Sequence, residues 1–134
     1  MPLGIVGQKE NDMAVPAELK CTVCQSGDIP LDREEIARYH DDVPDWQVLH
    51  EGGVDKLKRI YKFKEYTSAL KFAHAVAEAA DTEGHHPIIT LEWGRVTVVW
   101  WTHKIGGLHR NDFIMAARSD GLFKEGQFEQ PRES

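Results

Sequence analysis

The chain has little cysteine, no long apolar run and too few basic residues to balance its acids. Its 134 residues hold only two cysteines, Cys21 and Cys24. One C-x-x-C pair cannot build a disulfide framework, and a structural zinc site wants about four N or S ligands, for which no second Cys pair exists. A redox motif would open a helix after a strand, whereas Gln25-Ser26-Gly27-Asp28 and then Pro30 follow this one and read as loop. No apolar stretch approaches the roughly 20 residues of a membrane span. Residues 1–16 include Lys9, Glu10, Asn11 and Asp12 and lack the basic and apolar regions of a secretory signal, so a cytoplasmic protein is expected. Sixteen Lys and Arg against twenty-two Asp and Glu leave a net charge of −6, which argues against a nucleic-acid or anionic-membrane partner. Also missing are a Ser or Cys nucleophile elbow and a phosphate-cradling glycine loop. Gly106-Gly107 lacks the further glycine of a dinucleotide fingerprint.

What is present is enough for one domain. A hydrophobic content of 41% supports a core. The expected division is a tail over residues 1–19, a domain over 20–124 and a second tail over 125–134. Pro30-Leu31-Asp32 announces a helix over about 32–41, with Asp32 as cap and Glu35 closing a capping box. Two β-rich runs, from Trp46 and Val48 and then from Leu57 to Phe63, flank Glu51-Gly52-Gly53 and read as a hairpin with one cationic, wet face. Tyr66, Ala69, Leu70, Ala73, Ala77 and Ala80 recur at helical spacing over 65–80. Strand-like runs follow at 88–93 and 96–102, joined through Gly94-Arg95. The second is apolar enough to be covered on both faces, one by helices and the other by a subunit contact. A last helix starts near His109 or Arg110 and ends about Gly121. The fold class is α+β: a four-stranded antiparallel sheet with three helices packed on one face, in the order αββαββα.

Seven histidines in so short a chain call for an explanation, because histidine titrates near neutrality and binds metals. His85, His86 and His103 stand apart. His85-His86-Pro87 opens a strand, and Pro87 pushes His86 towards an extended backbone. Adjacent extended residues point opposite ways, so the two imidazoles line two sides of a junction rather than one point. Hairpin return brings His103 back towards them. Packing at a helix–strand corner, a three-histidine metal site and a general acid/base site all fit this trio.

The wider spacing narrows the choice. Asp81, three residues, His85-His86-Pro87, five residues, Trp93, nine residues, His103, eight residues and Asp112 resemble the signature of the pterin-4a-carbinolamine dehydratases. Thr102-His103, Gly106-Gly107-Leu108 and Asp112-Phe113 look like the family as well, and the resemblance covers about residues 20–123. His109 departs from it, standing where a helix-capping Ser or Thr is usual. Ser119 departs from it where an apolar residue is common.

The resemblance implies loss of water from 4a-hydroxytetrahydrobiopterin to give quinonoid dihydrobiopterin, in tetrahydrobiopterin recycling. It points to His85, His86 and His103 as catalytic residues. His85 and His103 would serve as acid and base, and His86 would hold the pterin. Asp81, Pro87, Thr102 and Asp112 would shape or contact the substrate site, with Asp112 capping the last helix or orienting His103. Trp93, Trp100 and Trp101 would belong to core or interface rather than stack on pterin. No metal or redox cofactor is required, because the reaction involves no net oxidation. A homodimer or homotetramer and an aromatic amino acid hydroxylase as pathway partner follow from the same resemblance. The alternative is a protein of this fold acting as a non-enzymatic dimerisation or assembly cofactor.

Overall fold

In the computed structural model of the chain, the described residues are 28–126 and 128. The expected tail over 1–19, most of the second tail, and Cys21 and Cys24 lie outside them. Helix α1 (Arg33–His40) begins as anticipated. Asp32 accepts from the Glu35 amide at 2.8 Å, and the Glu35 carboxylate accepts from the Asp32 amide at 2.9 Å. Strands β1 (Gln47–Glu51) and β2 (Val54–Lys62) follow, paired so that Glu51 faces Val54. Their two-residue turn is Gly52-Gly53, with φ of 58° and 79°, a left-handed pair that glycine adopts without a Cβ penalty. Helix α2 (Tyr66–Glu83) ends where Gly84 turns left-handed. Strands β3 (Ile88–Glu92) and β4 (Arg95–Trp100), a 3-10 turn (His103–Ile105) and helix α3 (Arg110–Glu125) complete the order αββαββα. The sheet is antiparallel throughout, in the order β1-β2-β4-β3.

Leu57, Tyr61, Val96, Val98 and Trp100 face the helices and are fully buried, meeting Phe72, Val76, Phe113 and Ile114 in one core. The opposite face of the sheet carries Lys58, Ile60, Lys62 and Ile88, and Ile60 and Ile88 stand 41% and 49% exposed. The apolar β4 strand is thus covered on one face only within the described chain. Its Val99 is half-buried on the open side.

Several local expectations shift. In α2 the buried stripe is Ala69, Phe72, Ala73, Val76 and Ala80, so Ala69, Ala73 and Ala80 are buried as anticipated while the face is turned towards Phe72 and Val76. Phe72 and Val76 bury more apolar area than Tyr66, Leu70 and Ala77, which stand exposed instead. The β3–β4 turn is Trp93-Gly94 rather than Gly94-Arg95. Gly94 takes a φ of 89°, and Arg95 is already paired with Glu92. Helix α3 continues past Gly121 to Glu125, and Phe128 then folds back against Phe63 and Phe72. Ser119 sits in the core without penalty because its hydroxyl donates to the Met115 carbonyl at 2.8 Å.

A second polar node lies under the sheet. Asp120 accepts from Arg59 at 2.7 Å, from the Trp46 indole at 3.0 Å and from the Tyr61 hydroxyl. Burial, and then the neighbouring Asp120 charge, push the Tyr61 hydroxyl far above its ordinary pKa.

Candidate active site

The end of α2, the start of β3, the loop after β4 and the N-terminus of α3 meet at one end of the sheet. Gly84 stops α2 and turns the chain, and the His85 amide still bonds back to Ala80 at 3.2 Å. The next two residues then point opposite ways, as an extended backbone requires. His85 turns inward: its side chain is 14% exposed, and its ring stacks on the buried Trp100 with centroids 5.4 Å apart and planes 29° apart. His86 turns outward, 63% exposed, with Nε2 3.0 Å from Asp81 Oδ1. Pro87 is half-buried between His86 and β3.

His85 reaches the one fully buried carboxylate of this region. Its Nε2 lies 2.6 Å from Asp112 Oδ1. The other oxygen, Oδ2, accepts from the Thr102 hydroxyl at 2.7 Å and from the His109 amide at 2.9 Å. Asp112 therefore caps α3, as the sequence suggests, but the imidazole it holds is His85 and not His103. The cap is completed by the residue that departs from the usual pattern: His109 Nδ1 accepts from the Asn111 amide at 3.0 Å. An imidazole nitrogen can accept in place of a Ser or Thr oxygen, so the substitution leaves the helix start closed.

Trp100 and Trp101 do more than fill core. Trp100 forms the plane beneath His85, and Trp101 lies against His103 with centroids 4.3 Å apart and Lys56 4.3 Å from its own ring centre. His103 is exposed and opens the 3-10 turn directly after Thr102. That turn is closed by the Thr102–Gly107 bridge, where Thr102 N–H donates to the Gly107 carbonyl at 2.9 Å. Gly107 admits no side chain, since a Cβ there would stand 2.9 Å from the Pro30 Cβ. The tryptophan contacts and the His85–Asp112 pairing were missed from sequence. The 27-residue separation of the pair leaves no periodic trace.

The other histidines have ordinary settings. His40 bonds to the Trp46 carbonyl, His50 pairs with Asp55 at 2.7 Å, and His74 lies 3.7 Å from Glu78 on the surface of α2. Among the described residues, no three His, Cys, Asp or Glu side chains converge as metal ligands would, and no helix is long and apolar enough to cross a membrane. Two surface cavities, of about 380 and 440 Å³, are lined in part by Asp42, Arg59 and Asp120 and by Ile36, Val48 and His50. Neither includes His85, His86 or His103.

Residues 29–122 match the family model described as pterin 4 alpha carbinolamine dehydratase. A protein of Microcystis aeruginosa, provisionally named a pterin-4-alpha-carbinolamine dehydratase, is 50% identical over 109 residues, covering 81% of this chain and 94% of its own. A Syntrophotalea carbinolica protein with the same provisional name is 50% identical over 108 residues, covering 81% and 96%. Among solved structures, a transcriptional coactivator/pterin dehydratase from Brucella melitensis aligns with a TM-score of 0.64 at 27% identity, over 69% of this chain and 97% of that one. A pterin dehydratase-like protein identified as a RuBisCO assembly factor in the alpha-carboxysome aligns with a TM-score of 0.50 at 22% identity, over 58% and 88%, a likeness of fold alone.

Proposed function

The chain belongs to the pterin 4 alpha carbinolamine dehydratase family, and on that premise we propose that it eliminates water from a 4a-hydroxytetrahydropterin by histidine acid/base catalysis. The observation that carries this reading is the setting of His85, the first histidine of the family's motif. It is not a solvated side chain but one docked on Trp100 and tied to a buried carboxylate.

The reaction breaks the C4a–O bond and removes the proton from N5. The N5–H electron pair becomes the N5=C4a double bond, and the hydroxyl leaves as water after taking up one proton. A proton donor and a proton acceptor suffice, each contributing roughly 10²–10⁴-fold. His85 and His103 are the pair for these roles, and His86 with Asp81 holds the pterin from the outer side. Oxidation states do not change overall, so no redox cofactor enters. The substrate class implies an aromatic amino acid hydroxylase upstream. The half-covered sheet face, with Ile60 and Ile88 exposed, supports a homo-oligomer.

The test is direct. Protein added to 4a-hydroxytetrahydropterin, generated in situ by an aromatic amino acid hydroxylase, should accelerate dehydration. His85→Ala and His103→Ala should each lower turnover by about 10²-fold or more. Wild-type protein as inert as His85→Ala would refute the reading. The alternative, a protein-binding cofactor, draws support from Tyr66 and Leu70, exposed to 48% and 51% along α2. It would show as full client binding by the His85→Ala variant.

A further inference from the structure

Thr102 and Asp112 are too deeply placed to meet a substrate, being 4% and 0% exposed. Yet they form a continuous hydrogen-bonded chain that ends on His85: Thr102 hydroxyl to Asp112 Oδ2 at 2.7 Å, and Asp112 Oδ1 to His85 Nε2 at 2.6 Å. We propose that Thr102 and Asp112 are positioning residues that hold His85 as its Nε2–H tautomer, so that Nδ1 is the nitrogen that exchanges a proton with the substrate. The catalytic half of this inference rests on the dehydratase reading; the tautomer does not.

The chain has one direction in which every group is satisfied. The His109 amide can only donate, so Asp112 Oδ2 is an acceptor. The hydroxyl of Thr102 donates to the same oxygen. Asp112 is the third residue of α3, where the unpaired amides and the helix dipole favour a negative charge. A carboxylate anion at that point can only accept from its third neighbour, and that requires the hydrogen of His85 on Nε2. Among the described residues Nδ1 has no hydrogen-bond partner, which leaves it available. Trp100, fully buried beneath the ring, keeps the imidazole from swinging off the carboxylate.

Thr102 has a second consequence. It directly precedes His103, so its hydroxyl ties the backbone that carries one histidine to the carboxylate that holds the other. That hydrogen bond thereby links the two segments that carry the imidazoles on which proton delivery and removal depend. Misplacement of reacting groups by a fraction of an ångström costs rate more than affinity.

Two measurements test this. The imidazole nitrogen NMR spectrum of the wild-type protein, taken on the alkaline plateau where the His85 signals no longer change with pH, should show His85 protonated on Nε2. In Asp112→Asn the population should move towards Nδ1–H. A wild-type His85 protonated on Nδ1 overturns the inference, whatever the activity. In the dehydratase assay, Thr102→Val should lower kcat by about tenfold while KM stays within about twofold. Thr102→Ser should restore kcat to within about twofold of wild type. An unchanged kcat in Thr102→Val, or a serine variant no better than the valine one, overturns it too. If Asp112→Asn does not fold, the wild-type tautomer and the Val/Ser pair still decide. If wild type shows no dehydratase turnover, the functional reading fails, and the NMR result stands on its own.

Discussion

Replacing Asp120 with alanine should destabilise the fold by about 3 kcal/mol and leave the histidine site intact. The carboxylate accepts three donors, and two of them, the Trp46 indole N–H and the Tyr61 hydroxyl, belong to residues only 1% exposed. A buried donor left without a partner costs about 1–3 kcal/mol, so the pair costs roughly 2–6. The third donor, Arg59, is 20% exposed and keeps Asp45 within 3.6 Å and the Tyr61 ring beneath it, so its loss adds little. The cavity of about 380 Å³ lined partly by Asp120 and Arg59 can admit water to the vacated position, which moves the total to the lower half of the range. Three kcal/mol is a large share of the 5–15 kcal/mol typical of a domain and corresponds to a melting-point drop of roughly 12–24 °C at this size. Urea titration followed by circular dichroism measures it. A sign reversal sharpens the test. Tyr61→Phe should destabilise the wild type by about 1 kcal/mol, yet be neutral or stabilising beside alanine at 120, where it removes an orphaned hydroxyl. A loss below about 1 kcal/mol in Asp120→Ala, or the same Tyr61→Phe cost in both backgrounds, would refute the reasoning.

Two further outcomes follow from the same structure. Tyr61 is held protonated in the fold, whereas the unfolded chain loses that proton near pH 10, so the unfolded state binds fewer protons above that point. Stability should be unaffected by this group below pH 10 and fall by up to roughly 1.4 kcal/mol per pH unit above it, a slope that Tyr61→Phe abolishes in denaturation series. Gly107→Ala places a Cβ 2.9 Å from the rigid Pro30 ring and should cost about 1–3 kcal/mol by urea titration. It should also lower dehydratase turnover, because Gly107 closes the turn that carries His103.

What could be read in the sequence was what depends on near neighbours. The Asp32–Glu35 capping box, the Gly52-Gly53 turn and the motif spacing of the histidines all concern residues close along the chain or set at fixed gaps, and so do the two hairpins, whereas the β2–β4 pairing that joins them into one sheet has no such local signal. The face of α2 is legible in part: Ala69, Ala73 and Ala80 are buried as their spacing predicts, but alanine periodicity says little about rotation, and the bulk of Phe72 and Val76 decides the rest. The partner of Asp112 was misjudged for another reason. A capping position is a local property, but the imidazole that reaches it is selected by how a hairpin end docks on a helix start. Trp100 reads as core because it is core. That the same indole also floors an imidazole is a fact of packing alone. The Asp120 node joins residues as much as 74 positions apart and has no signature of any kind.

Asp112 closes the first turn of α3 and holds His85 with one carboxyl group, and the two tasks cannot be separated in time. Any fluctuation that frays that turn releases the imidazole, and any motion that withdraws the imidazole leaves the helix start short of a partner. The backbone amide of His109 is bonded to this same carboxylate. Its hydrogen exchange with solvent therefore counts the openings of the site, and its protection factor measures the free energy by which the resting site is kept assembled.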